Sequence, residues 1–324
     1  MKTVSKIEVE ILKIAKALQK IEGLRPTAEF NLLAGRLAEL STLKTSHKTA
    51  SKILINIEKK CPGIVRFLQS VAGAGHRYLE FETIEMAARA EIGTSEGDIF
   101  KRINQLFYRY DYGWADPRSK MITTLLKCIL GQEIDSTFRF FVCSQSGLPL
   151  AGLYLRIFSG ATVTYLDSDI ESVFKARKAI RLLEKNGIIS KSSLSVELCR
   201  PDDLERKMKN GEITPDKTVF IVNTPVLPKS LWLNAINKIS CSAVLAIAPE
   251  GLGELSYEKL DLSDLNRSLS KKLRYKIIPL GYDMKALTGV KTLKWGCAES
   301  SMSTYVYINS SKLPPLKALK DLLS

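Results

Sequence analysis

Ile7, Ile11, Ile14, Leu18 and Ile21 recur alternately four and three residues apart, the spacing that lines one side of an α-helix. Gly23 closes this helix, and Pro26 and Thr27 open a second whose apolar side is Phe30, Leu33, Leu37 and Leu40. A third helix is predicted over Ala50 to Lys60, stopped by Cys61, Pro62 and Gly63, and a short fourth over Ile64 to Val71. Val71 to His76 carries two glycines in the manner of a nucleotide loop. It lies between helical segments and follows no strand, so it reads as a turn between helices. Further helices are predicted over Tyr78 to Ile92, Ile99 to Phe107 and Met121 to Leu130.

From about residue 131 the pattern changes to alternating strand and helix. Short apolar runs predict strands over Phe138 to Cys143, Thr162 to Leu166, Ser195 to Cys199, Thr218 to Asn223 and Ser242 to Ile247. Helices fall between them at Gly152 to Phe158, Glu171 to Asn186, around Asp202 to Lys209, and Leu231 to Ile239. Two late strands follow, Tyr275 to Leu280 and Ser303 to Asn309. The expectation is an α/β chain in two domains. Residues 1–130 form an all-α helical domain and residues 131–324 a Rossmann-like, doubly wound sheet of the methyltransferase type, with one late strand antiparallel at the edge.

Composition narrows the choices. No apolar run approaches a membrane span, and the first residues lead into the amphipathic helix without a secretory apolar core. Six scattered cysteines with no C-x-x-C pair read as reduced, mostly buried thiols in a cytoplasmic protein. Two histidines, His47 and His76, argue against a zinc site or a histidine-based triad, and no metal is expected. The net charge of +14 permits nucleic-acid binding. Yet Lys and Arg stand beside Glu and Asp along the helices with no basic tract, so a solvated surface is expected and nucleic acid is not the expected partner.

The stretch with chemistry begins at Phe138. A strand, a turn of small and polar residues from Ser144 to Gly147, and a helix follow one another, and the next strand ends in Asp167, Ser168 and Asp169. A helix start after such a turn leaves backbone N–H groups for an anionic group. An acid at the end of the second strand is placed for a ribose hydroxyl pair. Only Gly147 stands inside the turn, which disfavours a pyrophosphate but not a ligand without phosphate, such as S-adenosylmethionine. The other reading is a plain buried strand, turn and helix whose acids cap the next helix.

Over most of its length the chain resembles the nicotianamine synthase family. Leu24-Arg-Pro-Thr-Ala-Glu-Phe-Asn-Leu-Leu33 is similar to that family's early L-x-P-S-x-x-V-N-x-L-F, and Phe107-Tyr-Arg-Tyr-Asp-Tyr112 to its F-P-Y-Y-x-N-Y patch. Ser144-Gln-Ser-Gly-Leu-Pro-Leu150 resembles G-S-G-P-L-P-L, and Tyr165-Leu-Asp-Ser-Asp169 resembles Y-D-I-D. Thr218 to Thr224, Gly251 to Tyr257 and Met302 to Ile308 follow in the family's order. The chain departs from the pattern at Ser144 and Ser146, which replace loop glycines, and at Gly147, which replaces a proline. The arginine before the late glycine loop and the acid after the tyrosine patch are also missing.

The resemblance implies a transferase. It would move the 3-amino-3-carboxypropyl group of S-adenosylmethionine, its co-substrate, to an amine or amino acid and release methylthioadenosine. The product would be a nicotianamine- or opine-like metal chelator. Ser144, Gln145, Ser146, Gly147, Leu148 and Pro149 would face the amino-acid end of the co-substrate. Asp167 would bind ribose with Asp169 close by, and Asp202 or Asp203 would reach the adenine amino group. Asn223 and Thr224 would line the carboxyl edge. Glu85, with Glu82 second, and the phenols of Tyr110 and Tyr112 are the candidates to accept the amine's proton. The expected partner is a small molecule, with no membrane, and a homodimer is compatible. A methyltransferase on the same sheet and a non-catalytic, basic RNA-binding module are the competing functions.

Overall fold

The computed structural model describes residues 4–25, 27–41, 43, 45–75, 123, 126, 127, 130, 132–143, 150–185, 187, 189–214, 217–222, 229–236, 238, 239, 241–249, 251–256, 275–280 and 302–309. Helix α1 spans Val4–Leu18, α2 Ala28–Ser41 and α3 His47–Lys60, and residues 64–75 form α4. Thr27 Oγ1 accepts from Phe30 N at the start of α2, and Ser46 Oγ accepts from Thr49 N at the start of α3. Each satisfies a backbone donor that the first turn leaves free. The expected turn at Val71 to His76 is corrected, because residues 71–75 continue α4. A Cβ at Gly75 would lie 3.8 Å from Ala34 Cβ and 3.9 Å from Phe30 Cε1, so this stretch is helix packed on α2.

Ile7, Ile11, Ile14 and Leu18 of α1 meet Phe30, Leu37 and Leu40 of α2, Ile53 and Ile57 of α3, and Leu68 and Val71 of α4 in one core. Burying each such side chain contributes roughly 1.5–3 kcal/mol. Glu8, only 5% exposed, accepts from Asn56 Nδ2 at 2.7 Å and Lys60 Nζ at 2.9 Å and so ties α1 to α3. Those bonds hold its carboxyl below the ordinary range.

The sheet has seven strands: β1 Arg139–Cys143, β2 Thr162–Asp167, β3 Leu194–Leu198, β4 Thr218–Val222, β5 Ala243–Pro249, β6 Tyr275–Leu280 and β7 Met302–Asn309. Their spatial order is β3-β2-β1-β4-β5-β7-β6. β1 to β5 are parallel, and β7 lies antiparallel between β5 and β6. Helices α5 Leu150–Ser159, α6 Ile170–Lys185, α7 Asp203–Lys209 and α8 Lys229–Ile236 make the connections. The strand order reverses between β1 and β4, which places a crevice at their carboxyl ends.

On one face of the sheet, Phe141, Cys143, Leu166, Phe220, Val222 and Val244 pack with Leu204 of α7 and Trp232, Leu233 and Ile236 of α8. The Phe141 and Phe220 rings stack with centroids 5.3 Å apart. Alternation along β2 sends Tyr165 and Asp167 to the opposite face, where α5 crosses Tyr165 at Gly152. After β5 the chain forms a 3-10 helix, Gly251–Leu255, whose Leu252 and Leu255 enter the core of α1 to α4. Gln69 Nε2 of α4 donates to Glu254 O at 2.9 Å. Gly251 has φ +60, a conformation glycine adopts without strain, and a Cβ there would lie 3.8 Å from Ala50 Cβ. Among the described residues no helix is long and apolar enough to cross a membrane.

Candidate nucleoside site

Four parallel strands bring their carboxyl ends to one edge in register. Cys143 pairs with Leu166 and with Val222, and Asp167 pairs with Leu198. β1 is buried from Phe140 to Cys143, and β2 from Val163 to Asp167. Such continuous apolar runs are what a parallel sheet covered on both faces requires. A carboxylate at the end of one is therefore out of place on packing grounds alone.

Asp167 is that carboxylate, with no exposed surface. Its Oδ1 accepts from Asp169 N at 2.8 Å, and its backbone oxygen accepts from Cys199 N at 2.9 Å. The first bond holds the side chain against the turn that leads into α6. Asp169 itself caps α6. Its Oδ1 accepts from Glu171 N at 3.0 Å and its Oδ2 from Ser172 Oγ at 2.9 Å. Asp167 and Asp169 thus form one hydrogen-bonded turn, with Asp169 engaged by the helix start on both carboxylate oxygens.

After β3, Asp203 lies in the first turn of α7. It accepts from Arg200 N at 3.0 Å and pairs with Arg206 at 2.9 Å. Asp202 precedes it, exposed, and its side chain makes no capping bond. Of this pair, Asp202 has the carboxylate left uncommitted among the described residues. Cys199 beside them is a buried thiol whose Sγ donates to Arg200 O, and burial pushes its pKa up to about 12. Cys143, at the end of β1, is raised well above the ordinary thiol range by burial, with Cys199 and Cys241 adding to the effect. Both stay protonated near neutrality and are poor nucleophiles.

Ser144, Gln145, Ser146, Gly147, Leu148 and Pro149 lie outside the described residues, between Cys143 at the end of β1 and Leu150 at the start of α5. Asn223 and Thr224, which follow Val222 of β4, also lie outside them, as do Glu82, Glu85, Tyr110 and Tyr112. Among the described residues, no group of three or more histidine, cysteine, aspartate or glutamate side chains could hold a metal ion.

Sequence reasoning placed Gly152 inside a helix and gave it no task. A Cβ on Gly152 would fall 2.0 Å from Tyr165 Oη and 2.4 Å from its Cζ. Gly152 therefore lets α5 lie directly on the β2 phenol, the close helix-to-strand approach for which nucleotide-binding turns use a glycine inside the helix. The signal was present in the sequence as a small-residue pair, Ala151 and Gly152, near the helix start, followed by a strand with one central tyrosine.

The helical region followed by this seven-stranded sheet defines a Rossmann-like fold of the class I methyltransferase type. Over nearly its whole length it is shared with solved structures of MtNAS, a nicotianamine synthase. A complex of MtNAS with MTA and tNA superposes with a TM-score of 0.64 at 12% identity, covering 94% of this chain and 97% of that one. A glutamate-to-glutamine variant gives 0.63 at 12% over the same shares. That variant in complex with S-adenosylmethionine gives 0.62 at 13%, covering 93% and 97%. No protein-family model and no curated protein matches the sequence.

Proposed function

We propose that this protein transfers the 3-amino-3-carboxypropyl group of S-adenosylmethionine to an amine, with residues 1–130 as a helical domain and 131–324 as the nucleoside-binding domain. The observation that carries the reading is Asp167: a fully buried carboxylate at the carboxyl end of β2, beside the strand-order reversal, braced by Asp169 N. A braced carboxylate suits a ribose hydroxyl pair, and Asp202 beyond β3 suits an adenine amino group. Asp167 has no exposure, so a nucleoside has to open what covers it before its hydroxyls reach the carboxylate. The shared fold with a protein crystallised with S-adenosylmethionine, and separately with MTA, supports the choice of co-substrate.

In the proposed step the amine nitrogen bonds to the aminopropyl carbon. The carbon–sulfur bond breaks, its electron pair stays on sulfur, and methylthioadenosine leaves. The sulfonium departs without covalent help, so the protein must supply position and a neutral amine. Glu85 or Glu82 would take the amine's proton, with Tyr110 and Tyr112 beside the sulfonium, where a phenol ring attracts a cation by roughly 0.5–2 kcal/mol. Incubation with S-adenosylmethionine and a panel of amines, followed by mass spectrometry, tests the reading. Methylthioadenosine plus an adduct heavier by the aminocarboxypropyl group is expected. S-adenosylhomocysteine would replace the proposal with methyl transfer.

A further inference from the structure

Along the sequence of α6 the cations alternate with apolar residues, most of which the fold turns inward, while exposed Glu171 shares the outward side one turn before Phe174. Ser172, Val173, Ala176, Ala179, Ile180 and Leu183 face inward. Phe174, Lys178, Arg181 and Lys185 follow at steps of four, three and four, which sets them in one stripe on the opposite side. Lys175 and Arg177 flank the stripe, and all six are exposed. Phe174 is 75% exposed and Ile170, one turn earlier, 63%. Among the described residues no ion pair involves Lys175, Arg181 or Lys185. Glu184 is turned away, accepting from Ser192 N at 2.8 Å.

We propose that this outward face of α6 binds single-stranded nucleic acid. Arg177 Nε donates to Val196 O at 3.4 Å and seats the helix beside β3, the outermost strand. The stripe therefore lies over the β3 end of the sheet, exposed among the described residues. Its Phe174-to-Lys185 length is about 16 Å at the helical rise. An exposed ring beside a row of cations is what a single strand uses, one base stacking while the phosphates follow the charge. A bilayer surface fits less well, because the helix has already committed its apolar side to the sheet and offers outward only Phe174 and Ile170. An acidic protein would use the charges but has no specific need of the ring. The surface is separate from the proposed transfer chemistry and stands without it.

The full-length chain is titrated with a fluorescently labelled twenty-nucleotide oligouridylate across a range of KCl concentrations, with polyglutamate and phosphatidylserine vesicles as parallel probes. Binding of the oligonucleotide that weakens steeply with salt is expected. The Arg181→Gln/Lys185→Gln double variant should flatten the slope of log K against log salt by about 1.4, from about 0.7 per lost cation on a single strand. Phe174→Ala should lower oligouridylate affinity about fivefold or more while leaving heparin binding unchanged. Lys13→Gln/Lys16→Gln, the same charge change on α1, should leave affinity within twofold. Circular dichroism and thermal melting check that the variants fold. No oligonucleotide binding at 50 mM salt, equal losses from the α1 and α6 pairs, or tighter binding of polyglutamate or vesicles than of oligouridylate would each overturn the proposal.

Discussion

Gly152 and Tyr165 occupy the same space up to the last methyl group: a Cβ on the glycine would stand 2.0 Å from the phenol oxygen. Helix α5 is held at this distance from β2, and the end of β2 carries Asp167. Any change that lifts α5 also shifts the carboxyl edge of β2.

Gly152→Ala tests this contact. In a free helix the change would stabilise by about 1 kcal/mol. Here overpacking opposes it at about 1–3 kcal/mol, so net destabilisation is expected in urea denaturation. Tyr165→Leu in the same chain should recover part of the loss, and a double-mutant cycle measures the coupling.

Asp167 and Asp169 should separate in their effects. Asp167→Asn keeps an oxygen for Asp169 N but loses the charge, and S-adenosylmethionine affinity by calorimetry should fall at least tenfold with little loss of stability. Asp169→Ala removes the cap of α6. It should cost about 0.5–2 kcal/mol of folding stability. The reverse pattern would move the ribose contact to Asp169.

Glu8 gives a pH dependence of defined sign. Its side-chain bonds to Asn56 and Lys60 hold its carboxyl below the ordinary 4.5. A carboxyl depressed in the folded state contributes stability above its unfolded value, and that stability is lost as pH falls through the folded value. Glu8→Gln should therefore destabilise by about 1–3 kcal/mol at pH 7. The gap to the unaltered chain should narrow toward pH 3, measured by denaturant titration at both values.

Thiol labelling should follow burial. Cys143 and Cys199 are buried and held protonated, whereas Cys61 is partly exposed. Brief iodoacetamide treatment at pH 8 with peptide mapping should modify Cys61 well before Cys143 or Cys199.

Much of the fold was legible in the residues for a physical reason. A parallel strand buried on both faces shows as an unbroken apolar run, and the seven expected strands lie within two residues of the observed ends. Val71 to Gly75 misled because glycines normally mark turns; here Gly75 is set against Phe30 and Ala34, a neighbour that local sequence does not reveal. The ion pair of Asp203 with Arg206 was hidden for a similar reason, since only the fold shows that contact. The basic stripe of α6 was hidden by counting charges along the chain, which does not register the side given to the sheet.

Leu252 and Leu255, both almost wholly buried, join the apolar interior built by α1 to α4. These two leucines are made some 180 residues after α4, and a fragment ending before β1 would leave their places in that interior open to water.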